Sequence, residues 1–242
     1  MKIALIGYGK MGRAIEQMAL GRGHTVVLRT NSTTAATDLT PASLQKADVA
    51  IEFTRPNAAL TNITRCFAAG VPVVVGTTGW YEQLAQVTAA CAAAKGGLFA
   101  ASNFSIGVQL FFALNKHLAA LMNAHTEYDV MMREIHHLQK LDAPSGTAIT
   151  LAEGILENLD RKAKWVNMEA AHPTELSIES ERMDAVPGTH IVTYTSPIDS
   201  IELTHTAYSR LGFAQGAVLA AEFMVAQKGK SGVYGMGDLL KL

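Results

Sequence analysis

The chain has 242 residues, 49% of them hydrophobic and 17% charged, with a formal net charge of −1. This is globular composition, with apolar material for one large domain or two small ones, and the balanced charge excludes the electrostatic footprint of a nucleic-acid or anionic-membrane binder. The two cysteines, Cys66 and Cys91, sit in alanine-rich stretches and read as buried apolar residues in a reducing compartment; the apolar run 3–6 is too short for a signal peptide and nothing approaches the ~20 apolar residues of a membrane span, so a cytoplasmic protein is expected.

Over the first hundred residues, short β-branched runs at 3–6, 25–28, 49–53, 71–75 and 98–100 alternate with stretches of helical period at 14–20, 58–69 and 81–95. Continuous apolar strands separated by helices predict a parallel sheet covered on both faces. The link 29–46 is polar and irregular, so its helix is short or absent. The second half changes character. A helix is predicted over 104–123, a strand over 128–135 and a helix after Pro144. Strand-like alternation follows at 175–181, 190–195 and 200–207, then a closing helix near 213–227. Strands with little helix between them predict an open mixed or antiparallel sheet. The fold class expected is therefore α/β, a parallel-sheet domain (1–103 with 211–242) plus a smaller α+β domain with an open mixed sheet (104–210).

Gly7-Tyr8-Gly9-Lys10-Met11-Gly12 follows the first strand and opens a helix. This is the G-x-G-x-x-G arrangement in the setting that gives it meaning, and it makes the first domain Rossmann-like. Gly7 permits the tight turn, Gly9 lets the backbone approach a pyrophosphate, and Gly12 allows close helix–strand packing. The acidic ribose partner expected about 20 residues on is missing; the second strand runs out as Leu28-Arg29-Thr30. Arg29 suits a 2′-phosphate, with Thr30 beside it, so NADPH is expected to serve at least as well as NADH. Gly76-Thr77-Thr78 and Ala101-Ser102-Asn103-Phe104 follow two further strands and are read as loops against the cofactor, with Phe104 packing on or beside the nicotinamide.

Residues 134–147 read Glu-Ile-His-His-Leu-Gln-Lys-Leu-Asp-Ala-Pro-Ser-Gly-Thr. His136, His137 and Lys140 precede a Ser145-Gly146-Thr147 turn that opens a helix, a combination suited to holding a small dicarboxylate. No metal site is expected. This stretch resembles the signature of the dihydrodipicolinate reductases. The likeness extends, in the family's order, to Glu52-Phe53-Thr54-Arg55-Pro56, Gly76-Thr77-Thr78-Gly79, Asn103-Phe104-Ser105-Ile106-Gly107 and Val233-Tyr234-Gly235-Met236-Gly237-Asp238. The glycine loop is one residue shorter than the form common in the family.

The resemblance implies an NADPH- or NADH-dependent reductase of the lysine and diaminopimelate pathway, assembled as a homotetramer, with no nucleic-acid or membrane partner. It implies His136 as proton donor, Lys140 as a second acid, and His137, Ser145, Gly146 and Thr147 as carboxylate binders. Two alternatives stay open on the residues alone. Another small Rossmann reductase or amino-acid dehydrogenase shares the glycine loop, and a nucleotide-sensing regulator shares the nucleotide domain but lacks an acid–base cluster.

Overall fold

The computed structural model describes residues 1–184, 186–227 and 229–242. In chain order it runs β1 (Lys2–Ile6), α1 (Lys10–Gly21), β2 (Thr25–Thr30), the single turns α2 (Ala35–Asp38) and α3 (Pro41–Leu44), β3 (Val49–Glu52), α4 (Pro56–Ala68), β4 (Val73–Val75), α5 (Leu84–Ala93) and β5 (Gly97–Ala100). It continues with α6 (Ile106–Met122), β6 (Asp129–His136), α7 (Gly146–Leu156), β7 (Lys164–Val166), β8 (Glu175–Arg182), β9 (Gly188–Thr195) and β10 (Ser200–Ala207). The chain closes with α8 (Leu211–Ala226), β11 (Gly232–Tyr234) and α9 (Met236–Leu240). It divides into two compact units, Met1–Ile106 with Leu211–Leu242, and Gly107–Arg210.

The first unit is a six-stranded parallel sheet in the order β11-β5-β4-β3-β1-β2. Successive strand residues serve opposite faces. Ile3 and Leu5 join a core with Ile15 and Ala19 of α1 and Ala217 and Ala221 of α8. Ala4 and Ile6 join the other core, with Ile63 and Cys66 of α4 and Val87 and Cys91 of α5. Burying each Ile is worth about 1.5–3 kcal/mol, so a strand apolar at every position is stable only between two helical layers. Both cysteines are free and buried there. α4 opens on Pro56, and the pre-proline Arg55 is extended (φ −129°, ψ 154°), as the proline ring requires.

The second unit is a five-stranded mixed sheet, β10-β9-β6-β8-β7, with β10–β9 and β9–β6 antiparallel and β6–β8 and β8–β7 parallel. Alternation along β6 sends Val130, Met132, Glu134 and His136 to the buried side, and Val130 and Met132 pack against Phe111 and Ala119 of α6 and Leu151 and Ile155 of α7. Met131 on the opposite face is 39% exposed. Two three-residue strands, β7 and β11, and the five-residue α9 are too short to announce themselves by periodicity. β11 pairs with β5, which makes the C-terminal tail part of the first unit's sheet. The expected helix over 81–95 starts with a 3-10 turn at Tyr81–Gln83 before α5. No helix among the described residues is long and apolar enough to cross a membrane.

Candidate active site

In the first unit the chain turns sharply between β1 and α1. Gly7 has φ +100°, and a Cβ there would fall 2.0 Å from the Phe53 carbonyl oxygen; one at Gly12 would fall 2.3 Å from the Gly7 oxygen. Either methyl would force the turn open. Gly9 differs, because nothing lies within 4 Å of where its Cβ would stand. Gly9 is also the N-cap of α1 and offers no side-chain cap, so the amides of the first turn keep their hydrogen-bonding capacity for a ligand.

Two cavities open at this turn. One, of about 360 Å³, is lined by Gly9 to Gly12, Phe53, Thr54, Pro56 and Gly76 to Thr78. The other, of about 450 Å³, is bounded by Tyr8 and Gly9, by Thr30, Asn31 and Ser32 after β2, and by Arg55 and Asn62. The Thr30 hydroxyl is buried on this cavity without a protein partner. A bare helix terminus, an open glycine and an orphaned hydroxyl are what a dinucleotide phosphate and ribose require, so the residues fit an NAD(P) cofactor. Beneath the loops, Glu52 is fully buried and accepts hydrogen bonds from Thr54 and Asn62, while the Thr54 amide donates to Thr77 Oγ1 at 2.7 Å. Burial pushes the Glu52 carboxyl above its usual range.

Not every predicted cofactor residue reaches these cavities. Arg29 lines neither; its guanidinium is bound to Glu16 of α1, with Nε–Oε1 at 2.8 Å, and the Tyr8 hydroxyl donates to the same carboxylate. Phe104 is 2% exposed, with its ring 5.6 Å from Phe53 and 5.8 Å from Phe99 between centroids, so it is a core side chain with only its main chain to offer a cofactor. Ala101, Ser102 and Asn103 follow β5 and line neither cavity; Asn103 Oδ1 accepts the Ser105 amide at 2.8 Å.

In the second unit, Glu134 is the hub of a buried polar cluster. It has no exposed surface, and its two oxygens accept the Ser145 amide at 3.1 Å each. The Ser180 hydroxyl donates to it at 2.9 Å and Arg182 Nη2 lies 3.5 Å away. His136 Nδ1 lies 3.5 Å and His190 Nε2 3.7 Å from its Oε2. Burial works against a charged Glu134, but the hydrogen bonds from Ser145 and Ser180 and the neighbouring His136 outweigh it and hold the carboxyl below its usual range. Burial lowers His136, opposed by Glu134 and assisted by Lys140 and Arg182. His190, more deeply enclosed, is driven down to about 4, first by burial and then by His136.

Ligand atoms of Glu134, His136 and His190 lie within 4.8 Å of one another. A cation would have to displace an amide, a hydroxyl and a guanidinium already directed at that carboxylate, so the donor set suits a buried anion rather than a metal ligand. Lys140 Nζ contacts both oxygens of Asp142 at 2.8 Å, and Arg182 donates to the carbonyls of Lys140 and Asp142, fixing that loop. Ser145 caps α7 by accepting the Ala148 amide, and the space beside Gly146 is open. His137 lines a cavity of about 350 Å³ with Gln139, Pro187, Ser209 and Arg210, and its Nδ1 is buried without a partner.

The comparisons with known proteins agree along the whole chain. Residues 1–104 match the family description "Dihydrodipicolinate reductase, N-terminus", and residues 107–240 match "Dihydrodipicolinate reductase, C-terminus". The chain belongs to the dihydrodipicolinate reductase family. It is accordingly an oxidoreductase that draws on NADH or NADPH. The C-terminal match begins at residue 107, where the second unit begins, and runs on through residues 211–240, which belong to the first unit. A 4-hydroxy-tetrahydrodipicolinate reductase from Christiangramia forsetii is 48% identical over 99% of this chain and 98% of its own. One from Neisseria gonorrhoeae is 34% identical over all of this chain and 98% of its own. Among solved structures, a dipicolinate-bound dihydrodipicolinate reductase from Paenisporosarcina is 26% identical and superposes with a TM-score of 0.71 over 98% of each chain.

Glu134, Arg182 and His190 carry no role in the sequence reading, although Glu134 stands inside the signature stretch. The period-two pattern of β6 could have found Glu134, since it puts a carboxylate on the buried face between Met132 and His136. Glu16 gave no signal beyond its place on α1.

Proposed function

We propose that this chain catalyses the reduction of 4-hydroxy-tetrahydrodipicolinate in diaminopimelate and lysine biosynthesis, the activity named for its relatives. The observation that carries the reading is the gathering of His136 and the Ser145 turn around the buried Glu134 carboxylate, with Lys140 close enough to act on His136, in a chain whose other unit carries the glycine turn. The nicotinamide, when bound, supplies the hydride.

Gly7 to Gly12, with Thr30 and Gly76 to Thr78, hold the cofactor, the phosphates lying at the first turn of α1. Arg29 serves a 2′-phosphate only by loosening its pair with Glu16, whereas NADH asks for no such change. Ala101 to Phe104 contribute main-chain atoms and the Asn103 side chain beside the nicotinamide. The amides and hydroxyl of the Ser145-Gly146-Thr147 turn receive one substrate carboxylate, with His137 beside it. Loss of the 4-hydroxyl as water leaves a conjugated imine; hydride addition at one of its ring carbons then sends an electron pair through the conjugated system, and the neighbouring carbon takes a proton. His136 delivers that proton; burial works against its charged ring and the Glu134 carboxylate favours it. Lys140 sets a cation beside the charge that develops.

Residues 1–103 with 211–242 form the dinucleotide-binding domain, and 104–210 the domain for substrate and assembly. The bare face of the second unit's sheet, with Met131, is the surface through which four copies join. Free Cys66 and Cys91 suit the reducing cytoplasm, where the pathway runs.

A nicotinamide-absorbance assay coupled to the upstream synthase, run with each cofactor, tests the reading. Oxidation of NADH or NADPH that depends on the synthase product supports it, and no oxidation of either cofactor contradicts it. In the same assay Lys140→Ala should raise KM and lower kcat; a change in melting temperature alone would make Lys140 a structural residue.

A further inference from the structure

We propose that Glu134 is the positioning residue for His136, fixing the Nδ1 side of the imidazole so that Nε2 is the nitrogen that hands over the proton. The proposal rests on the reading of His136 as the acid. Three observations carry it. His136 Nδ1 is buried and makes no hydrogen bond, and the Glu134 carboxylate, 3.5 Å away, is the anion beside it. On the opposite edge, a Cβ at Gly188 would stand 3.0 Å from His136 Nε2 and 3.2 Å from Cδ2, so only a glycine leaves that edge clear. The third is that Glu134 accepts the Ser145 amide through both oxygens, and Ser145 is the N-cap of the helix whose first turn receives the carboxylate. One buried carboxylate thereby sets the proton donor and the anion-binding turn in a single frame.

His190 is the second support. Its ring stands edge-on to His136 with centroids 5.0 Å apart, and its Nε2 shares a 3.1 Å hydrogen bond with Ser145 Oγ. The groups around His136 are Glu134 on β6, His190 on β9, Arg182 on β8, and Lys140 and Asp142 in the following loop, with His205 of β10 acting on His190. Of these only Glu134 and Asp142 favour the imidazolium. Asp142 is exposed and paired with Lys140, which leaves Glu134 as the buried anion able to hold the charged ring. Replacing it by a neutral isostere keeps the shape and removes the attraction. His136 then gives up its proton at lower pH, and activity that needs the protonated ring is lost from lower pH.

The test has two arms. In the parent protein labelled with ¹⁵N-histidine, with the His136 signals assigned by difference from His136→Gln, neutral His136 should carry its proton on Nδ1. In Glu134→Gln, kcat should fall about tenfold or more, with the alkaline limb of kcat/KM moved to lower pH and NADH affinity within about twofold of the parent; Glu134→Asp should restore the limb towards the parent position. Neutral His136 protonated on Nε2, or a Glu134→Gln profile that superimposes on the parent's, overturns the proposal. Should Glu134→Gln fail to fold, the tautomer in the parent still decides. A parent without reductase activity would undo the functional reading while leaving the tautomer result intact.

Discussion

The two units use opposite means to prepare for a ligand. At the β1–α1 turn the first unit leaves side chains out: Gly7 and Gly12 have no room for a methyl, Gly9 faces open space, and the helix end is uncapped. What the turn presents is main chain. At the end of β6 the second unit buries a carboxylate, meets it with an amide, a hydroxyl and a guanidinium, and sets two imidazoles beside it. Binding a phosphate needs a rigid set of amides; moving a proton needs groups whose protonation can change and whose position cannot.

The two sites should therefore fail differently when broken. The largest effect is expected from His136→Gln, which should lower kcat by roughly a hundredfold or more while leaving NADH affinity nearly unchanged; steady-state kinetics beside cofactor titration separates the two, and equal losses in both would make His136 structural. Next comes Gly12→Ala. Its methyl must push the Gly7 carbonyl away, which should destabilise the protein by about 1–3 kcal/mol and weaken cofactor binding, read by thermal melting and cofactor titration. Unchanged cofactor affinity would mean that the turn is no phosphate site.

His190 acts on stability alone, through pH. It is neutral in the fold down to about pH 4, whereas the unfolded chain protonates near 6.5. Its folded pKa is depressed, so its contribution is full above 6.5 and is lost as pH falls towards about 4, a loss on the order of 3 kcal/mol. Denaturant melts across that window should be flatter for His190→Gln than for the parent, and identical slopes would contradict its burial as a neutral ring. The smallest effect is expected at the Arg29–Glu16 pair. Glu16→Gln frees the guanidinium and should raise the kcat/KM ratio of NADPH over NADH by about two- to tenfold. A ratio that does not move would show that Arg29 never reaches the 2′-phosphate.

The same contrast explains what the sequence could tell. Gly7 to Gly12 were legible because a glycine turn after a strand is a local event, written in six consecutive residues. The strands of the first sheet were legible through their unbroken apolar runs, and β6, β8, β9 and β10 through alternation. His136, Lys140 and Ser145 to Thr147 stood out as one dense segment. Glu134 was visible but looked like one more polar residue, since its role depends on Ser180 and Arg182 from β8 and His190 from β9. Pairings between strands are set by register, which no local pattern encodes. Arg29 was misjudged for availability for the same reason: its partner Glu16 lies on another element, and only packing brings the two together. Phe104 looked like a ring for stacking because an aromatic beside a strand end is ambiguous until Phe53 and Phe99 are seen around it.

The central claim is that a carboxylate-held imidazole at position 136 is the source of the proton. Its most direct test is the pH dependence of kcat/KM for the parent and His136→Gln, measured side by side. The account predicts a one-proton alkaline limb in the parent that vanishes in the variant, whose residual rate is flat across the same range. A limb of the same position and steepness in both proteins would contradict it.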